Sequence, residues 1–201
     1  MAGFNIETFK AKVKDRNGFM RNNRFLMTFP TPTGLFSRSG AWAVNRDIEF
    51  WCESVTLPGY QLMTHDVRRW TYGPSEKRPF APNFTPLQCS FLVDNKGDIM
   101  NFFHDWLQSI IPHDTDQGIN APSRFGGLPY EVRYKVDYVT ELNIYTYSET
   151  GEPIQNIVCK EAFPSSIVDI PLSWGDTNNV VRLQVTFDYL DWFSRPVNTP
   201  Q

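Results

Sequence analysis

Polar and apolar residues alternate strictly near the C-terminal end: Val181, Leu183, Val185, Phe187 and Tyr189 are separated by Arg182, Gln184, Thr186 and Asp188. A period of two puts the two sets on opposite faces of an extended chain. The stretch therefore predicts a half-buried antiparallel strand whose second face is kept for water. The same pattern sets Tyr130, Val132, Tyr134 and Val136 against Glu131, Arg133, Lys135 and Asp137, and predicts a second strand of this kind. The polar members of both strands are expected on the solvent-facing side of an inner sheet.

Shorter apolar runs predict further strands at 24–29, stopped by Pro30 and Pro32, and at 47–55, ended by the turn Leu57-Pro58-Gly59. Others follow at 62–72, 87–93 and 142–147, then 154–160, and 163–167 leading into 168–172. Glu149 to Pro153 have the composition of a hairpin turn. Residues 73–79 interrupt the pattern, so 62–84 is expected to be a long projecting excursion. Period 3.6 appears twice. Ile6, Phe9 and Val13 share a face after the capping residue Asn5, in a helix ended by Asn17-Gly18 that is too short to stand alone and must dock on something. Ile99, Phe102, Phe103, Trp106, Leu107 and Ile110 form one stripe, with Asp94 or Asp98 as cap and Pro112 as stop, which predicts a helix covering a sheet. Segments 31–45 and 113–129 are read as loops. These elements predict a mainly β single domain over 1–201, an antiparallel sandwich or partial barrel with one flanking helix, preceded by a helical arm within 1–24.

Composition narrows the function. A chain of 201 residues is long enough for one sizeable core, and 15% aromatic residues favour strands and interfaces. The net charge of -3 gives no global attraction for phosphate, which argues against a protein that wraps nucleic acid. Cys52, Cys89 and Cys159 match neither a disulfide framework nor a zinc spacing, and sit in apolar runs as small core residues. No secretory signal and no run of 18 apolar residues is present, so assembly in a cytoplasm without a membrane anchor is expected.

Candidate chemistry is sparse. His104-Asp105 and the loop His113-Asp114-Thr115-Asp116 lack the spacing of known zinc or calcium sites, and Phe125-Gly126-Gly127-Leu128 is too short to cradle a phosphate. No cofactor, metal or catalytic residue is expected. Arg68, Arg69, Trp70 and Tyr72, with Lys77 and Arg78, are residue types enriched at protein interfaces, and the excursion carrying them is expected to be buried by a neighbouring subunit. The alternative is a carbohydrate-binding sandwich in which Trp42, Trp51, Trp70 and Tyr72 stack on sugars.

An ordered set of features carries a resemblance. It runs from Cys52-Glu53-Ser54-Val55-Thr56-Leu57-Pro58-Gly59 through Tyr72-Gly73-Pro74 and Lys77-Arg78-Pro79-Phe80 to a strand feeding a helix with Phe103 and Trp106. It ends with Phe163-Pro164 and Ser173-Trp174 before the closing strand. The order resembles that of the tail tube proteins of contractile-tailed bacteriophages, and Asp15 to Phe25, with Phe19-Met20-Arg21-Asn22-Asn23-Arg24-Phe25, resembles the start of the baseplate proteins that initiate the same tube. The resemblance implies a structural virion protein forming hexameric rings that stack into a hollow tube, with a sheath outside and a tape-measure protein and transient DNA inside. It further implies that strands of each subunit join a continuous inner barrel, whose lumen would take Glu131, Arg133, Lys135, Asp137, Arg182, Gln184, Thr186 and Asp188.

Overall fold

Where alternation coincides with burial, the strands form as expected. The computed structural model describes residues 5–15, 18–35, 47–68, 73–113, 128–175 and 179–197. The chain runs α1 (Ile6–Asp15), β1 (Phe25–Thr28), a 3-10 turn (Thr33–Leu35), β2 (Cys52–Val55), β3 (Tyr60–Val67), β4 (Glu76–Phe84) and β5 (Leu87–Leu92). It continues through α2 (Asp98–Ile110), the single helical turn α3 (Lys135–Tyr138), β6 (Thr140–Tyr147), β7 (Pro153–Ile167), β8 (Arg182–Asp188) and β9 (Asp191–Pro196).

Seven of the strands form antiparallel sheets in the order β1-β6-β7-β8-β5-β2, with β9 also on β7, and the path is not closed into a barrel. β7 serves two layers. Its first part pairs with β6 on one side and β9 on the other, while Phe163 to Ile167 pair only with β8. The changeover is at Glu161, which adopts φ 50° where the register with β6 slips between Thr140 and Leu142. A bulge of this kind bends one strand sharply and increases its twist, so a single strand can leave one sheet for another.

The core lies between these layers and α2. Leu183, Val185 and Phe187 of β8 are at most 1% exposed and face the same side as Leu87, Cys89 and Phe91 of β5. α2 lays its stripe over them: Ile99, Phe102, Phe103, Trp106 and Ile110 are buried, and Asp94 caps the helix by accepting from Ile99 N at 3.2 Å. Phe29, Phe91, Phe103, Trp106 and Phe187 meet as tilted, edge-on and stacked rings, the closest being Phe91 and Phe103 at 4.8 Å. Trp106 Nε1 donates to Tyr138 O at 2.8 Å, so its one polar atom is satisfied although the side chain is fully buried. Cys89 and Cys159 are buried and Cys52 half-buried, with the Cys52 and Cys89 sulfurs against Met27 Sδ.

Four expectations are corrected. Residues 47–51 are helical, so the second strand starts only at Cys52. Residues 153–167 form one strand that ends at Ile167, and 168–172 is not a strand. Residues 76–84 are a full strand despite Pro79 and Pro82. In the two-stranded ribbon β3–β4 each strand has an outer edge with no partner among the described residues, where a missing N–H removes no ladder bond.

The fourth concerns 130–137, which is no strand. Tyr130 turns with φ 64° and donates to Pro112 O, and Arg133 N donates to Ile110 O, so this backbone caps the end of α2 instead of joining a sheet. Thr33 Oγ1 then bonds the Val136 and Asp137 carbonyls, and a Cβ at Gly34 would lie 3.0 Å from Asp137 O. Close packing against Gly34 thus holds α3 in place. The N-terminal helix forms with its expected cap, Asn5 Oδ1 accepting from Glu7 N at 2.9 Å, and no α1 residue is buried against the described residues of its own subunit.

Two outcomes test this core. Trp106→Ala should lower the unfolding free energy in urea by about 3–5 kcal/mol, a cavity cost increased by the orphaned Tyr138 carbonyl. Burial pushes the Cys52 and Cys159 thiols up to about 12, and raises Cys89 well above its ordinary value as well. The neutral thiols therefore favour the folded state fully below pH 9, and this contribution is lost as pH climbs from there toward 12. A disulfide reagent at pH 8 should react slowly with the native chain and rapidly in urea.

Candidate assembly surfaces

The first surface is the ribbon β3–β4, which stands apart from the seven-stranded assembly. Tyr60 pairs with Phe84, Thr64 with Pro79 and Val67 with Glu76, with Phe80 bulged out between Ala81 and Pro79. Its base is held by aromatic rings: Tyr60 lies 6.3 Å from Phe84 and 6.2 Å from Trp192, and Phe84 lies 6.1 Å from Tyr189. Tyr189 OH donates to Thr85 O at 2.8 Å, and burial pushes that hydroxyl up to about 12, so it remains a donor throughout the neutral range. Beyond the base the ribbon meets water: Leu62, Met63 and Phe80 are 46–62% exposed. Lys77 and Arg78 lie on β4, Arg78 paired with Glu76 at 3.2 Å, and Arg68 is exposed beside the tip. Arg69, Trp70 and Tyr72 lie outside the described residues, as does Trp42.

The second surface is the outer face of β2, β5, β8 and the second half of β7. Register places Ser166 beside Thr186 and Thr186 beside Gln88, while Gln184 sits beside Ser90 and Ser90 beside Ser54. Thr56 continues the first row, bonded to the Gln88 backbone through both N and Oγ1. At the end of the sheet Arg182 reaches Glu53 with two bonds, Nε to Oε2 at 2.6 Å and Nη2 to Oε1 at 3.1 Å. That hydrogen bonding holds the Glu53 carboxyl below its ordinary value and raises Arg182 above its own. Arg182, Gln184, Thr186 and Asp188 therefore share the face opposite the core, as the alternation predicts. Glu131, Arg133, Lys135 and Asp137 do not: they belong to the α2 cap and α3, where Lys135 pairs with Glu161.

A third group of apolar residues is exposed without any sheet behind it. Tyr134 and Val136 are 84% and 75% exposed on the α2 cap and α3, and Leu172 and Trp174 are 83% and fully exposed after β7. Sequence reasoning missed the parts of this geometry that depend on distant residues. Glu53 and Arg182 are separated by 129 positions, and nothing local marks them as a pair. The β5 residues Gln88 and Ser90 did carry a signal, since they alternate with Leu87, Cys89 and Phe91.

Among the described residues no three His, Cys, Asp or Glu side chains group as metal ligands, and no helix is long and apolar enough to cross a membrane. His104 is exposed, as the helical stripe predicts. Tyr189→Phe should lower stability by about 1 kcal/mol, the usual net worth of one hydrogen bond, and should speed hydrogen exchange at the base of the ribbon before it affects the core.

Comparison with known proteins agrees with this architecture. A chain of the anti-feeding prophage baseplate superposes with a TM-score of 0.59 at 12% identity, covering 89% of this chain and 97% of that one. A chain of the sheath–tube complex of an extracellular contractile injection system, PVC, in the extended state gives 0.58 at 16% identity, covering 93% and 97%. A chain of the cap that terminates the anti-feeding prophage tube gives 0.59 at 16%, covering 89% and 92%. At these identities the likeness establishes the fold. No protein with a curated description matches the chain. Residues 20–195 match the phage tail tube proteins, a structural family and not one of enzymes, and the chain belongs to that family.

Proposed function

We propose that copies of this chain close into rings of six, and that the rings stack as the hollow inner tube of a contractile phage tail or as its first tier at the baseplate. The tube is the conduit through which DNA leaves the particle. The observation that carries this reading is the two-sided sheet: one face is packed under α2, and the other is a mainly polar surface on four strands, with Leu92 beside Arg182 as its apolar exception on β5. Such a face suits the wall of a water-filled channel, with Arg182, Gln184, Thr186 and Asp188 toward the lumen.

The edges support the same reading. β2 pairs only with β5, and Phe163 to Ile167 pair only with β8, so this sheet ends in two open edges within the described residues. Joining the β2 edge of one copy to the β7 edge of the next removes both, and closure of the ring leaves none. The ribbon β3–β4 then reaches a neighbouring copy or the next ring, and Arg68, Arg69, Trp70, Tyr72, Lys77 and Arg78 are its contact residues. Exposed Leu172 and Trp174 supply further area of the kind that assembly covers. A sheath encloses the tube, a tape-measure protein occupies it before DNA does, and the subunits are made in the host cytoplasm without a membrane anchor.

Electron microscopy of the purified chain at high concentration should display rings or tubes with a central hole. A chain that stays monomeric at every concentration contradicts the reading. Copy number per particle separates the tiers, since a tube subunit fills many rings and an initiator one. Replacing residues 65–78 with Asn-Gly joins Thr64 to Pro79, which are already paired. The variant should fold with stability within about 0.5 kcal/mol of the parent, as for other surface changes, yet fail to grow tubes.

A further inference from the structure

We propose that Glu53 keeps the tube lining from holding a polyanion, by cancelling the one cation on the described strands of that lining. The inference rests on the assignment of the β2-β5-β8 face to the lumen. Ser54, Thr56, Gln88, Ser90, Gln184 and Thr186 present hydroxyl and amide groups, which exchange hydrogen bonds with water and carry no charge at any ordinary pH. Arg182 is the only cationic side chain on the described strands of this face, and Glu53 binds it with two hydrogen bonds. The remaining ionisable group is Asp188, at the opposite end of β8, a carboxylate that repels phosphate.

The geometry makes Glu53 decisive where the ion pair itself is energetically minor. The pair is exposed, so it contributes little to folding. Its effect is electrostatic and multiplied by ring symmetry. Without the carboxylate, every copy would present an unpaired guanidinium at the same height, and stacked rings would set these in a regular column. A polyanion meeting several such cations gains affinity by releasing counterions, with a strong dependence on salt. With Glu53 in place, a DNA duplex finds water-binding groups and cancelled charge, and moves along the lining without being held. The uncharged surface treats a polypeptide passenger the same way.

The test compares parent, E53Q and the double variant E53Q/R182Q as purified ring or tube assemblies. Each is mixed with a short linear duplex and, separately, with a closed circular duplex that cannot thread a tube. Parent assemblies should retain neither. E53Q should retain the linear duplex at least ~10-fold more than the parent at low salt and release it as salt rises, and should leave the circle unbound. The double variant should return to the parent's behaviour. Parent assemblies that already hold the linear duplex, or E53Q assemblies that hold no more than the parent, overturn the role of Glu53 and leave the lumen assignment standing. Equal retention of linear and circular DNA by E53Q places the face outside the tube, and failure of the chain to form rings removes the lumen altogether; either result sinks the assignment itself.

Discussion

The fold depends on the bend in β7. A fifteen-residue strand would extend straight past a small sandwich unless something turned it, and the turn is made at Glu161, in a left-handed backbone conformation that few side chains adopt. Before the bend, Ile157, Val158 and Cys159 are buried between β6 and β9; after it, Phe163 to Ile167 run beside β8. Two sheets are thereby joined through a covalent chain, and the angle between them opens the space that α2 fills. Ala162, at the inside of the corner, is fully buried, where a larger side chain would force the layers apart.

The aromatic core follows from that space. Phe29, Phe91, Phe102, Phe103, Trp106 and Phe187 occupy it with rings at mutual angles from stacked to edge-on, so flat groups fill a wedge that branched aliphatics would leave with gaps. The cap of α2 closes the open end. Its backbone bonds are divided between helix carbonyls and the 3-10 turn, which is why its apolar side chains face out while its polar main chain is satisfied.

The sequence was legible where one segment's own pattern decides its environment. β8, α2 and the β6–β7 hairpin are of this kind, since Val185 or Phe103 is buried wherever its neighbours in the pattern are. It misled at Tyr130 to Asp137, because alternation records that side chains take turns between two directions and not that a strand lies alongside to pair. The Pro112 and Ile110 carbonyls had first claim on that backbone. β4 was hidden by Pro79 and Pro82, whose cost depends on whether a strand lies beyond them. The Glu53–Arg182 pair was illegible for a different reason: β2 and β8 come together only because β5 lies between them. The polar face was half visible, one strand at a time, but the cancellation of its one cation by Glu53 is a property of strands brought into register.

The ribbon β3–β4 has a thermodynamic consequence. Two strands with water on both sides are at best marginally stable by themselves, and here the aromatic base supplies most of the support, so the far end can open without disturbing the core. Ordering of that end is then coupled to whatever covers it. The association equilibrium of such a subunit carries a conformational entropy term that a rigid surface would lack, which weakens a first encounter between two free copies. A growing end that already presents an ordered surface lowers that barrier for each newcomer. In the tube proposed above, growth by addition to an existing end would thereby be favoured over spontaneous nucleation.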